Sequence, residues 1–255
     1  MIGKKHEYAL MHQSETTLWW YRHLHNQVGE VIQQRFLPET NPDILDAGCG
    51  TGGLLLRLQQ MGYNNLLALD ASTDAVAFAT AKTEVPVKQG YIQETAMHFH
   101  GQQFDVICCM DVLTYLVDEE IVAVLQQFAQ MLKPGGIIIT NNNAFKAFKG
   151  THDHQVGIIK RFTAKDFERY ATAAGCIILK NRYWNFLLSP MVWAIRKWKL
   201  LQHYTGITHA NEISSDLTVP SPFINNSCLQ ILKLENKIVS PPWGTSVFTV
   251  LQKLD

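Results

Sequence analysis

The chain has 255 residues, with 22 Lys+Arg balanced by 22 Asp+Glu and 47% hydrophobic residues. That length suits one α/β domain carrying an insertion better than two independent catalytic domains. With a formal net charge of zero there is no broad basic field to concentrate the protein on DNA or RNA, so nucleic acid is excluded as the expected partner.

The opening residues Met1 to Lys5 lead into polar sequence rather than an apolar run, which argues against a secretory signal and sets a cytoplasmic expectation. No stretch approaches the roughly 20 apolar residues of a membrane span. From about Thr17 to Leu37, the residues Leu24, Val28, Ile32 and Phe36 recur at helical spacing until Pro38 stops them, predicting a leading helix within an N-terminal cap over 1–40. Ile44-Leu45-Asp46, a glycine cluster, a helix from Gly52 to Met61 closed by Gly62, and an apolar run from Leu66 to Leu69 ending at Asp70 form a βαβ unit. Ser72 or Thr73 caps a helix through Lys82, and Pro86 to Gln89 is a short third strand closed by Gly90. Phe104 to Cys109 is the fourth strand. Ile121, Leu125, Phe128 and Leu132 mark an amphipathic helix, and the turn Lys133-Pro134-Gly135-Gly136 feeds a fifth strand, Ile137 to Thr140. Thr163 with Asp166 reads as a capping box for a helix through Ala174 that Gly175 ends.

Cys176 to Leu179 and Ser246 to Leu251 would complete a doubly wound, seven-stranded, mostly parallel sheet, in a topology whose last strand is inserted antiparallel. The core spans 41–183, an insertion occupies 184–243, and 244–255 returns the final strand. A connection that long is usually a lid or an extra subdomain. The five cysteines (Cys49, Cys108, Cys109, Cys176, Cys228) are odd in number, form no CxxC pair and mostly fall in apolar runs, so they are expected as reduced core residues.

Asp46-Ala47-Gly48-Cys49-Gly50-Thr51-Gly52-Gly53 places residues without Cβ where a ligand must approach the backbone at a strand-to-helix turn. Gly48, Gly50 and Gly53 also satisfy GxGxxG, so spacing alone does not separate a dinucleotide from S-adenosylmethionine (SAM). Asp46, two residues ahead of the first glycine, favours SAM, because a carboxylate there attracts a cationic amine and repels a pyrophosphate. Asp70 ends the second strand where an acid can accept both ribose hydroxyls, in either reading. Gly90-Tyr91-Ile92-Gln93 follows the third strand, where an apolar side chain and a polar neighbour suit an adenine.

With these residues in order, the chain resembles the class I SAM-dependent methyltransferases over about 40–180, through DAGCGTGG, LALDAS, FDVICCMDVLTYL and LKPGG. The resemblance implies that Asp46, Gly48 and Gly50 contact the methionine end, Asp70 the ribose, Ala71 and Ile92 the adenine faces and Gln93 its edge, with Met110 and Asp111 beside the sulfonium. The segment from Glu15 through Trp19-Trp20-Tyr21-Arg22 is similar to that of relatives whose N-terminus folds over the cofactor; there Trp20 would shield the sulfonium and Arg22 pair with the methionine carboxylate.

Methyl transfer from SAM needs alignment in a dry pocket more than it needs a covalent intermediate, and a base helps when the acceptor is a hydroxyl. His152 and His154, in the loop after the fifth strand, are with Asp111 the candidate acceptor-side groups. Arg161 reads equally as an anion contact or a structural residue. The aromatic, basic run from Tyr183 to Lys199 predicts an apolar lid over a partly apolar small-molecule acceptor, favoured over an amphipathic helix on a lipid surface. The stretch HD…KRFT and the final WGTSVFTVLQK resemble methyltransferases of glycoconjugate or secondary-metabolite pathways. The chain lacks the Asn/Asp-Pro-Pro-Tyr/Phe signature of nucleobase amino methylation after the fourth strand and an acid series for a metal, so metal-independent transfer to oxygen or nitrogen is expected. The rival readings are an NAD-dependent oxidoreductase and a SAM-binding regulator without activity.

Overall fold

The computed structural model describes residues 5–205, 217–238 and 240–254. Its strands are β1 (Ile44–Ala47), β2 (Leu66–Asp70), β3 (Val87–Gln89), β4 (Phe104–Met110), β5 (Leu132–Asn143), β6 (Cys176–Trp184) and β7 (Ser246–Lys253). They form one sheet in the order β3-β2-β1-β4-β5-β7-β6. β1 to β5 pair in parallel, as the alternating sequence pattern predicts, and β7 runs antiparallel to both β5 and β6, as expected of the last strand in this topology.

The helices are α1 (Lys5–Ser14), α2 (Trp19–Gln33), α3 (Gly53–Gln60), α4 (Thr73–Thr83), α5 (Thr95–His98), α6 (Asp118–Met131), α7 (Thr151–Val156), α8 (Ala164–Ala173), α9 (Ser189–Tyr204) and α10 (Pro222–Ile238). On one face of the sheet Leu45, Ile107 and Leu251 pack with Phe128 of α6 and Phe167 of α8. On the other, Val106, Ile139 and Phe248 pack with Leu24 and Ile32 of α2 and Leu55 of α3. Each such side chain removed from water contributes about 1.5–3 kcal/mol. All five cysteines are free and buried in this core, as expected. No helix among the described residues is long and apolar enough to cross a membrane.

The sequence-based caps form as read: Ala75 N–H donates to Ser72 Oγ at the start of α4, and Thr163 N–H donates to Asp166 Oδ2 at 2.8 Å at the start of α8. Three features differ. Helix α1 was not anticipated, because its run is polar and buries only Tyr8 and Ser14. The segment 133–136 is not a turn ahead of β5 but a bulge inside it: Leu132 faces Phe104 and Ile137 faces Val106. β6 continues past Leu179 to Trp184, its middle residues only half-buried, which weakens the apolar alternation that would have announced them. The 184–243 segment contributes α9 and α10, and α10 packs against α2.

The chain moves from β1 towards one edge and from β4 towards the other. The carboxyl ends of these neighbouring strands therefore open a crevice at the topological switch point, the usual ligand position in such sheets.

Candidate active site

The loop leaving β1 is held from below by β2: Gly48 and Cys49 N–H both donate to Leu69 O, at 2.7 and 3.0 Å. Gly48 sits at φ 88°, and a Cβ there would stand 2.3 Å from Val112 Cγ2, so conformation and space both exclude a side chain. Asp70 fixes the far side of the loop, its Oδ2 accepting from Gly50 N–H and its Oδ1 from Ser72 N–H, both at 2.9 Å. Each oxygen keeps a lone pair for a further donor.

Asp46 closes the opposite end. It is 1% exposed, and its Oδ1 has no hydrogen-bond partner. Burial pushes its carboxyl up to about 8, with the charges of Asp70 and Glu15 adding to the effect. A buried carboxylate oxygen without a donor is costly and marks the place of a missing cationic or donor group.

At the end of β4, Asp111 adopts φ 58°, a strained conformation for a residue with a side chain. Its own N–H donates to Asn141 O at 2.7 Å. Both of its carboxylate oxygens accept from Asn141 Nδ2, at 3.2 and 3.0 Å. Asn141 Oδ1 in turn accepts from the indole of the wholly buried Trp184 at 2.8 Å. Burial raises the Asp111 carboxyl to about 7, against the lowering influence of the Asn141 hydrogen bonds and of Arg161.

These groups open into one cavity of about 1150 Å³. Asp46, Gly48, Gly50, Asp70 and Ala71 line it, followed by Ile92, Gln93, Met110 and Asp111. Trp20 also lines it and stacks on Trp184 at a centroid distance of 5.4 Å. Tyr115, Asn143 and Ser246, and Met191, Val192 and Ile195 of α9, are among the other residues of its wall. The structure thus gathers ten of the predicted residues around one space.

Three others are placed differently. Arg22 lies outside the lining and donates to Asn226 Oδ1 at 3.2 Å, because its position on α2 directs it to α10. His152 and His154 fall on α7, but their side chains lie outside the described residues. Their neighbour Asp153 is buried and lines the cavity, forming a two-point ion pair with Arg161 through Nε–Oδ2 at 2.6 Å and Nη2–Oδ1 at 2.8 Å. Arg161 also donates to Ala144 O, so its structural reading is the one the geometry takes up. Among the described residues no cluster of His, Cys, Asp and Glu could hold a metal.

Sequence reasoning missed the Glu15 clamp. This buried carboxylate accepts from Thr51 Oγ1 and pairs with Lys82 Nζ through Oε1, and accepts from Gly53 N–H at 2.9 Å through Oε2. It thereby caps α3 and ties the end of α1 over the glycine loop. A Cβ on Gly53 would stand 2.5 Å from Glu15 Oε2, so the last glycine of the loop serves Glu15. His25 was missed as well; it lines the cavity, and burial pushes its imidazole down to about 3, which makes it a weak base at neutral pH.

Residues 44–136 match the family model of a methyltransferase domain. The chain is similar to the ubiquinone biosynthesis O-methyltransferase of Rickettsia bellii, at 30% identity over 127 residues covering 48% of this chain and 52% of the relative. It is similar to the enzyme of that name from Shewanella pealeana at 28% identity over 167 residues, covering 53% and 69%. The chain spans about half the length of the first of these relatives. Among solved structures, a SAM-dependent methyltransferase from Clostridium acetobutylicum superposes with TM-score 0.57 at 14% identity, covering 92% of each chain. The chain carries a methyltransferase domain with the class I, Rossmann-like fold of SAM-dependent methyltransferases. The residues present fit SAM: Asp46 Oδ1 lacks the donor that a cationic amine provides, and Asp70 holds two lone pairs beside the cavity for ribose hydroxyls.

Proposed function

We propose that this methyltransferase domain transfers a methyl group from SAM to a hydroxyl oxygen of a small, partly apolar acceptor, with Asp111 as the general base and no metal. Asp46 would hold the methionine amine, Asp70 the ribose, and Ala71, Ile92 and Gln93 the adenine. SAM supplies an electrophilic methyl group on a sulfonium, so the protein need not activate the donor. What the protein must supply is a dry, aligned acceptor and somewhere for its proton to go.

The observation that carries the proposal is the Asp111 carboxyl at the end of β4, lining the cavity and raised to about 7. A base tuned to that range accepts a hydroxyl proton near neutral pH, whereas an ordinary aspartate is too weak a base. Asn141 Nδ2 holds the carboxylate in place, and Trp20 lines the reacting space, from which water must be kept. A neutral amine acceptor makes less demand on such a base, so oxygen is the atom the arrangement favours. The relatives' names, which contain O-methyltransferase, support the same reading.

The test is incubation of the full chain with methyl-labelled SAM and a panel of phenolic and aliphatic alcohols bearing apolar bodies. Label is expected in a product extractable into organic solvent as a stable ether, and that transfer should depend on Asp111. Label that never leaves SAM across the panel, while SAM binds, would support the regulator instead.

A further inference from the structure

Helix α9 has an apolar stripe that faces outward. Met191, Ile195 and Trp198 follow one another at steps of four and three, with Leu201 beside them, and they are 42%, 48%, 62% and 53% exposed. Steps of three and four keep side chains on one face of a helix. Trp193 on the same helix and Phe223 and Ile224 at the start of α10 are exposed too. Scattered exposed apolar residues need no explanation, but a contiguous set this large marks a contact surface.

Two observations say what covers it. First, Met191, Ile195 and Ile224 are exposed and also line the active-site cavity, so they form its mouth, and the stripe runs without interruption from the mouth to Trp198. Second, α9 carries Arg196, Lys197 and Lys199 and no acidic residue between Ser189 and Tyr204. Lysine is depleted at the centre of protein–protein contacts, and lysines beside tryptophans on a helix without acidic residues are typical of helices that lie in a bilayer interface.

We infer that α9 and the start of α10 seat the protein on an anionic bilayer surface, so that the acceptor enters the cavity mouth from the membrane with its apolar part still in lipid. The inference rests on the methyltransferase reading for what happens inside the cavity, and on the exposed surface alone for docking. An acceptor delivered this way keeps its apolar portion out of water while its hydroxyl reaches Asp111, past a mouth where Met191, Ile195 and Ile224 stand beside Arg196 and Lys199. The cationic residues supply attraction to anionic headgroups, and the apolar side chains supply insertion.

The test is sedimentation of the full chain with vesicles of phosphatidylcholine alone or phosphatidylcholine with phosphatidylglycerol, beside calorimetric titration with S-adenosylhomocysteine. Trp198 and Leu201 are exposed and lie outside the cavity lining, so the variant W198E/L201E leaves the buried core and the cavity wall as they are. Wild type is expected to bind phosphatidylglycerol vesicles more tightly than neutral ones, and less tightly as salt rises. The double variant is expected to lose about tenfold or more in vesicle affinity while binding S-adenosylhomocysteine as wild type does. Equal vesicle binding by variant and wild type, or no wild-type binding to either vesicle, would overturn the inference. So would a wild-type dimer in sedimentation velocity that the variant abolishes, since the stripe would then belong to a second copy. A failure to bind S-adenosylhomocysteine by wild type and variant alike would instead sink the methyltransferase reading and leave docking standing.

Discussion

The indole N–H of Trp184 donates to Asn141 Oδ1 at 2.8 Å, and this bond decides which way the Asn141 amide faces. With the oxygen taken by Trp184, the Nδ2 group is left to donate to Asp111. Trp184→Phe removes the constraint. Since one such bond is worth about 1 kcal/mol net, kcat is expected to fall about five- to tenfold in a steady-state assay, with the affinity for S-adenosylhomocysteine unchanged by calorimetry. A parallel loss of affinity would show that Trp184 acts through packing on Trp20 rather than through Asn141.

The same relay predicts a pH profile. Asp111 is a base only when ionised, so kcat/KM should rise with pH through about 7, the value to which burial lifts its carboxyl. Asp111→Asn, whose side chain tolerates the left-handed backbone conformation, is expected to flatten that rise and lower kcat by about 10²- to 10⁴-fold. Asn141→Leu removes donors that favour the carboxylate, so its profile should move to higher pH. A wild-type profile flat between pH 5.5 and 8.5 would remove Asp111 from the proton's path.

Asp46 couples ligand binding to protons. In the unfolded chain an aspartate ionises from 3.8 upward, while in the fold Asp46 keeps its proton to about 8. Between those values the unfolded state binds fewer protons, so the ligand-free protein loses stability as pH rises, by up to about 1.4 kcal/mol per pH unit for one group. Asp46→Asn should make that slope shallower in urea titrations between pH 5 and 8. A bound cationic amine favours the ionised form, so S-adenosylhomocysteine affinity should increase from pH 5.5 to 7.5 in wild type, with proton release visible as buffer-dependent enthalpy. Identical slopes for wild type and Asp46→Asn would refute the assignment of the proton to Asp46.

Glu15 and Lys82 form a pair with both side chains less than a tenth exposed. Glu15→Ala takes the carboxylate partner from a buried ammonium and leaves Thr51 Oγ1 and Gly53 N–H without their acceptor, which is expected to cost about 3–5 kcal/mol. For a domain of this size that is a drop in Tm on the order of 10 °C, read by thermal melting. Glu15→Gln retains two of the acceptor contacts and should lose less. An unchanged Tm in Glu15→Ala would mean that the clamp contributes nothing to holding α1 over the loop.

What could be read in advance follows from how local each signal is. The DAGCGTGG loop, the acid ending β2 and the apolar runs of the central strands are set within a few residues of themselves, and the structure brings Asp46, Gly48, Gly50, Asp70 and Asp111 to one cavity. The Glu15 clamp joins residues 36 and 67 positions apart, and the Trp184–Asn141 bond spans 43. Neither leaves a periodic trace in the sequence. Only the Glu15 and Trp-Trp resemblance pointed towards the first, and the Arg22 of that segment donates to Asn226. Helix α1 escaped notice because most of its side chains stay in water, so it lacks the apolar stripe by which helices are recognised.

Asp46 and Asp70, on neighbouring strands, are assigned to opposite ends of one sulfonium nucleoside. Calorimetric titration of the full chain with SAM and separately with NAD, for wild type and for the variant D46N/D70N, tests that assignment most directly. Wild type is expected to bind SAM saturably and not NAD, and the variant to lose about 100-fold or more in SAM affinity, equivalent to about 2.7 kcal/mol or more. NAD binding without SAM binding, or a doubly neutralised variant that holds SAM as tightly as wild type, would contradict the assignment.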